Sequence, residues 1–202
     1  MNDYLAFFIS VWLKFFFLLT PFFAITIFLV MTKDMTGGKR RITAIKTTCA
    51  MIVICLFLYY FGNFIFKVFG ITLDAFRIGA GSILFLTSIK LTTGSGKLSV
   101  SKEDKEDGDI SVTPMAIPFI VGPGTIGALL VMGTEPREPL LHIVGFFALV
   151  LAIACVGVLL YLAVFVEKII GKSGLNILSK ISGLILAALA AQIIFTGIKN
   201  FL

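Results

Sequence analysis

Residues 114–125 read Pro114-Met-Ala-Ile-Pro118-Phe-Ile-Val-Gly122-Pro123-Gly124-Thr125. The surrounding run is apolar enough to cross a bilayer, yet its prolines each remove a backbone donor and crowd the preceding helical turn. The glycines on either side of Pro123 permit dihedrals that other residues resist. The stretch therefore predicts a membrane helix that unwinds near Gly122–Gly124. Hydrocarbon offers no water to unpaired N–H and C=O groups, so a broken helix is tolerated there only beside a cavity or protein partners.

The break has a twin. Shifting residues 20–100 by 102 positions places Pro21 on Pro123, Thr32 on Thr134, Tyr59 on Tyr161, Leu73 on Leu175 and Gly81 on Gly183. The pair Ile83-Leu84 falls on Ile185-Leu186. Each copy holds three long apolar stretches, and an odd number of crossings turns the second copy upside down relative to the first. The predicted fold is an all-α integral membrane protein of six transmembrane helices, arranged as two inverted-topology repeats of three, with helices 1 and 4 broken. The predicted spans are 5–31, 42–61 (with 64–69 as an interfacial tail), 75–93, 112–132, 140–166 and 175–198. Residues 1–93 form the first repeat and 112–202 the second. Between them, 94–111 is a charge-dense linker read as a solvated tether.

Composition agrees. Of the 202 residues, 58% are hydrophobic, and the mean hydropathy is +1.07. Apolar runs of about twenty residues match the ~30 Å of a bilayer core. The net charge of +6 does not point to nucleic acid, because the basic residues sit in short loops between spans. Loops 1, 3 and 5 carry twelve Lys and Arg against four on the other side. The excess predicts those loops to be cytoplasmic and both termini extracytoplasmic, in a multi-pass protein of the cell membrane. Cys49, Cys55 and Cys155 lie in apolar runs without a CxxC pair and read as small buried hydrophobes. The N-terminus lacks a basic region and a clear cleavage site, so no removable signal peptide is expected.

Paired breaks in corresponding segments of an inverted repeat point to a substrate site near the midplane. A broken helix leaves N–H groups at the start of one half and C=O groups at the end of the other. A zwitterion uses both, its carboxylate at the N–H groups and its ammonium at the carbonyls. The candidate substrate-binding residues are Thr20, Pro21 and Thr26 in the first span and Pro118, Gly122, Pro123, Gly124 and Thr125 in the fourth. Gln192 joins them in the sixth span, where it either contacts substrate or bridges helices. Its counterpart Lys90 lies near the cytoplasmic end and is expected to snorkel. Lys14 interrupts the first span without an acidic partner nearby in sequence. Gly79-x-Gly81 and the Ala-rich sixth span read as close helix packing.

All eleven carboxylates lie in loops or at span ends. An embedded enzyme needs buried acids, histidines or metal ligands; no such cluster is present, so neither catalysis nor a cofactor or metal is expected. A proton-coupled carrier usually holds an embedded carboxylate or histidine, and that carrier is missing too.

The segment Ala116-Ile-Pro-Phe-Ile-Val-Gly-Pro-Gly-Thr125 resembles the MarC family of integral membrane proteins. So do residues 69–84 (FGITLDAFRIGAGSIL) and 181–197 (ISGLILAALAAQIIFTG). The resemblance covers nearly the whole chain. It implies a six-span inner-membrane protein with inverted repeats, related at superfamily level to LysE-type exporters, and an archaeal member is described as a transporter of small neutral amino acids such as glycine and alanine. The family's first span usually reads Asp-Pro with a second proline five residues later. Here Thr20-Pro21 and Thr26 stand at those positions, so the acid that would couple a cation is absent.

The expected function is secondary transport of a small zwitterionic solute. The expected partners are that solute, an amino acid by class, and the lipid bilayer; nucleic acid is not expected and homo-oligomerisation stays open. The alternative is a non-transporting membrane scaffold or assembly protein. The carrier reading expects Gly124→Leu to abolish substrate binding without unfolding the protein.

Overall fold

A computed structural model describes residues 2–94, 110–134 and 138–201. Most of the charged linker, 95–109, lies outside the described residues. All regular structure among the described residues is helical: α1 (Asn2–Leu18), α2 (Pro21–Met31), α3 (Gly37–Phe69), α4 (Leu73–Thr93), a wide-turned segment Ser111–Ile120, α5 (Pro123–Thr134), α6 (Pro139–Tyr161) and α7 (Ala163–Phe201). Five continuous or once-interrupted runs are long and apolar enough to cross a membrane: Tyr4–Met31, Gly37–Gly62, Leu73–Thr93, Pro139–Tyr161 and Ala163–Phe201. The predicted fourth span is not among them, because its prolines divide it into the Ser111–Ile120 segment and the short α5.

Proline accounts for the interruptions. The residue before a proline is pushed out of the right-handed helical region. Thr113 (φ −124, ψ 126) and Ile117 (φ −123, ψ 130) are extended, each preceding a proline. The chain closes around each pair with a wide backbone bond, Met115 N–H to Ile110 O at 3.2 Å and Val121 N–H to Ala116 O at 2.8 Å. Pro21 and Pro123 instead open α2 and α5, at a position where a helix has no use for the missing N–H.

Other boundaries differ from the prediction. α1 starts at Asn2 and runs through Lys14 without interruption. α3 is one helix of 33 residues, with Thr36 capping its start and Gly70 (φ 63) ending it, so residues 64–69 continue the helix. The predicted fifth span to Val166 stops at Tyr161, and the chain resumes at Ala163. α7 bends at Gly171 (φ 73, ψ 164), a conformation open essentially to glycine alone. Cys49 is exposed rather than buried, and all three cysteines are free.

The core lies between α1, α2, α3, α5 and α6, where Phe15, Ile25, Phe28, Met51, Tyr59, Leu129 and Leu149 are almost fully buried. The most extensive helix pairing is α4 against α7. Small residues permit it, as close packing drives association in lipid. A Cβ on Gly81 would lie 3.2 Å from the Ala190 carbonyl oxygen and 2.6 Å from Ile194. A Cβ on Gly183 would lie 3.1 Å from the Ser88 carbonyl oxygen and 2.6 Å from Thr92. These are the same contact written twice: Gly183, Ala190 and Ile194 stand 102 residues after Gly81, Ser88 and Thr92. Gly79 meets nothing within 4 Å, so of the Gly79-x-Gly81 pair only the second packs. Along α7, later residues meet earlier residues of α4, with Gly197 against Asp74 and Arg77, so the two helices run antiparallel.

Candidate functional site

The two breaks meet. Leu18 ends α1, and its carbonyl accepts a hydrogen bond from the Thr125 hydroxyl at 3.2 Å, across a sequence separation of 107. The hydroxyl beside the second break thus covers main chain released by the first. Leu19, Thr20, Pro21, Val121, Gly124 and Thr125 are all buried at this crossing. Gly122 is half-buried and Pro123 exposed, so the second break reaches the periphery of the chain.

The conformational cost falls on a residue that sequence reading valued for its hydroxyl. Thr20 sits at φ 46, ψ 59, and it alone among the described non-glycine residues has positive φ. A left-handed conformation costs a non-glycine residue about 1–2 kcal/mol, more readily borne by Asn or Asp than by a β-branched side chain. Gly122 and Gly124, expected to supply unusual dihedrals, do not have positive φ. Gly124 is required for another reason: a Cβ there would lie 2.8 Å from Leu84 Cα and 3.1 Å from Leu84 N. Substitution of Gly124 by leucine therefore tests the packing of α5 on α4, contrary to the expectation that it would spare the fold. Thr20→Asn, nearly equal in size and better suited to positive φ, should raise stability by about 1 kcal/mol. A thermal midpoint at or below that of the native chain would argue against strain at this position.

The remaining predicted residues lie apart from the crossing. Thr26 donates to the Phe22 carbonyl at 3.0 Å and lines a cavity of about 540 Å³ with Leu29, Val30, Arg40, Glu167 and Lys172. Gln192 lines a second cavity of about 90 Å³ with Lys14, Leu18, Arg77, Ala128 and Thr196. Pro118 falls in the wide-turned segment, and its side chain is not among those described. Lys90 is exposed, in keeping with snorkelling. No group of three or more His, Cys, Asp or Glu able to hold a metal occurs among the described residues.

The two cavities flank the crossing from opposite ends. The first takes Lys172, Leu175 and Asn176 from α7 and the second takes Leu189, Gln192, Ile193 and Thr196 from the same helix. At 1.5 Å per residue, positions 176 and 189 stand about 20 Å apart along its axis. The cavities are also related in sequence. Thr26, Leu29 and Val30 line one, and Ala128, Val131 and Met132, each 102 residues later, line the other. Sequence reasoning missed both Lys14 and this pairing of walls. The offset was legible, but which face of α2 and α5 borders a cavity is decided by packing.

Comparison with known proteins finds relatives along nearly the whole chain. The family model described as "MarC family integral membrane protein" matches residues 5–202. The UPF0056 membrane protein of Methanocaldococcus jannaschii is 33% identical over 202 residues, covering 98% of each chain. YhcE of Escherichia coli, also a UPF0056 membrane protein, is 34% identical and covers 98% of this chain and 92% of its own. YvbG of Bacillus subtilis is 32% identical, with 96% and 95% covered. No solved structure matches the chain. With nearly its whole length matched, and a helical fold of membrane-spanning length to go with it, the chain belongs to the MarC family of integral membrane proteins.

Proposed function

We propose that the protein is a secondary transporter of a small zwitterionic solute, of the class of small neutral amino acids such as glycine and alanine. The observation that carries this reading is a pair of cavities on either side of crossed, broken helices, each with one wall of equivalent residues from α2 or α5. Six crossings in two inverted repeats account for it. The reciprocal Gly81 and Gly183 contacts between antiparallel α4 and α7 support it, since a two-fold axis in the membrane plane would produce such a pair.

Such repeats alternate access by exchanging shapes around a shared site. The unequal volumes, about 540 Å³ against about 90 Å³, suit a form open on one side. The basic first and fifth loops support a cytoplasmic position for the wider cavity, with Lys33, Arg40 and Lys172 at its walls, and extracytoplasmic termini. At the crossing, the Leu18 carbonyl is held by Thr125 and the Thr20 and Val121 N–H groups by Phe17 and Ala116, so the solute is read as binding in the cavities beside the crossing.

Uptake of labelled glycine and alanine into proteoliposomes is the test. Saturable flux above protein-free vesicles is expected, with the solute also raising the thermal midpoint of the purified protein. Neither flux nor a shift with any of the twenty amino acids would favour the scaffold reading instead.

A further inference from the structure

We propose that Lys14 anchors the carboxylate of a small solute in the narrow cavity; the identity of that solute as a transported one rests on the function proposed above. α1 is continuous from Asn2 to Leu18, so Lys14 lies within an apolar crossing. It stands four residues, or about 6 Å of helix, before the break. Charged groups at such depth are costly and face a cavity or a partner. Lys14 makes no ion pair or hydrogen bond among the described residues. It lines the cavity with Leu18, Ala128, Arg77, Gln192 and Thr196.

The neighbours show what is missing. Arg77 is buried, and its guanidinium donates to Asp74 at 2.7 Å, so one cation already has its counter-charge. Asp74 also accepts from Asn200 at 3.4 Å. The cavity is left with an ammonium whose charge no carboxylate among the described residues balances. The primary amide of Gln192, on the facing α7, supplies both a donor and an acceptor. A ligand with a carboxylate neutralises Lys14 and accepts from the Gln192 amide N–H, an ammonium donates to the Gln192 amide oxygen, and a small apolar end fits the Leu18–Ala128 wall. The volume of about 90 Å³ is the room of about three waters, which admits a solute of a few heavy atoms. Leu18 connects the site to the crossing, because its carbonyl is the one held by Thr125.

The asymmetry of the repeat strengthens the case. At the same 102-residue offset Lys14 and Arg77 fall on Ala116 and Ser179, so neither cation has a counterpart in the other half, and the charges of the wider cavity come from other positions. Neither cation is a general requirement of the fold.

The test uses the full chain in detergent or lipid nanodiscs, with glycine, propionate and glycinamide as probes. Glycine and propionate are expected to bind and raise the thermal midpoint, whereas glycinamide, which lacks the carboxylate, does not. Lys14→Met removes an unbalanced charge from an apolar setting, so its unliganded midpoint should match or exceed the native one. Its affinity for glycine and propionate should fall about tenfold or more, the scale of a lost charge-assisted hydrogen bond. Lys14→Arg should retain most of the affinity. Native binding by Lys14→Met, glycinamide binding as well as glycine, or no carboxylate binding to the native chain each overturn the assignment. Propionate held through Lys14 without any glycine uptake would sink the transport function and leave this site standing. Unchanged glycine KM in Lys14→Met would do the reverse.

Discussion

Gly133→Ala is expected to destabilise the protein by about 3 kcal/mol or more, at the upper end of overpacking effects, and to cut sharply the yield of folded protein. Its added methyl would overlap the Tyr59 carbonyl oxygen and lie 2.9 Å and 3.0 Å from Tyr59 C and Cα. These are backbone atoms, so no side chain can turn aside and α5 must back away from α3. Gly62 makes the same interface tight from the other side, where an added Cβ would lie 3.1 Å from the Leu130 carbonyl oxygen and 2.9 Å from Thr134. Gly79→Ala is the control. It sits in a helix with open space around it, and alanine there should gain up to about 1 kcal/mol through helix propensity. Thermal midpoints of the two variants in the same detergent decide the matter. Equal midpoints would mean that the α3–α5 contact is looser than the structure holds it.

Thr26→Trp should bring near-complete loss of solute flux with the fold retained. Thr26 borders the wider cavity, of about 540 Å³, so an indole enters existing space rather than displacing packed atoms. Among the described residues the threonine hydroxyl bonds locally, to the Phe22 carbonyl, and a helix can lose that bond at little cost. Proteoliposome flux together with the unliganded melting midpoint separates obstruction from unfolding. Native flux through Thr26→Trp would show that the solute does not pass this face of α2. The equivalent replacement at Ala128, 99% buried beside the narrow cavity, should by contrast disrupt packing.

Much of the architecture was legible because it is carried by covalent geometry and by composition. Proline removes an N–H wherever it stands, so Pro21 and Pro123 announced the breaks at Thr20 and Val121–Gly122. The end of the third span at Gly94 follows from the left-handed conformation that glycine accepts. What escaped reading depends on contacts between distant segments. Pro114 and Pro118 were expected to weaken a helix, but the wide backbone bonds that close around them could not be inferred. The role of Gly124 was mistaken, because its need is for room beside Leu84 and not for dihedral freedom. The expected site divided in three: Thr20, Pro21 and Gly122–Thr125 came together, while Thr26 and Gln192 went to separate cavities. Lys14 looked like an interruption of the first span, and only the arrangement of α4, α5 and α7 around α1 gives it a setting.

The mirrored glycine contacts of α4 and α7 have an energetic implication for a carrier of this design. If each half can adopt the form of the other, the two end states contain the same kinds of packed surface and differ little in free energy by construction. The direction in which the resting molecule leans is then decided by the handful of positions where the halves do not match, Thr26 against Ala128 and Lys14 against Ala116 among them. Exchanging residues at such mismatched pairs would reset the bias of the machine without rebuilding its frame.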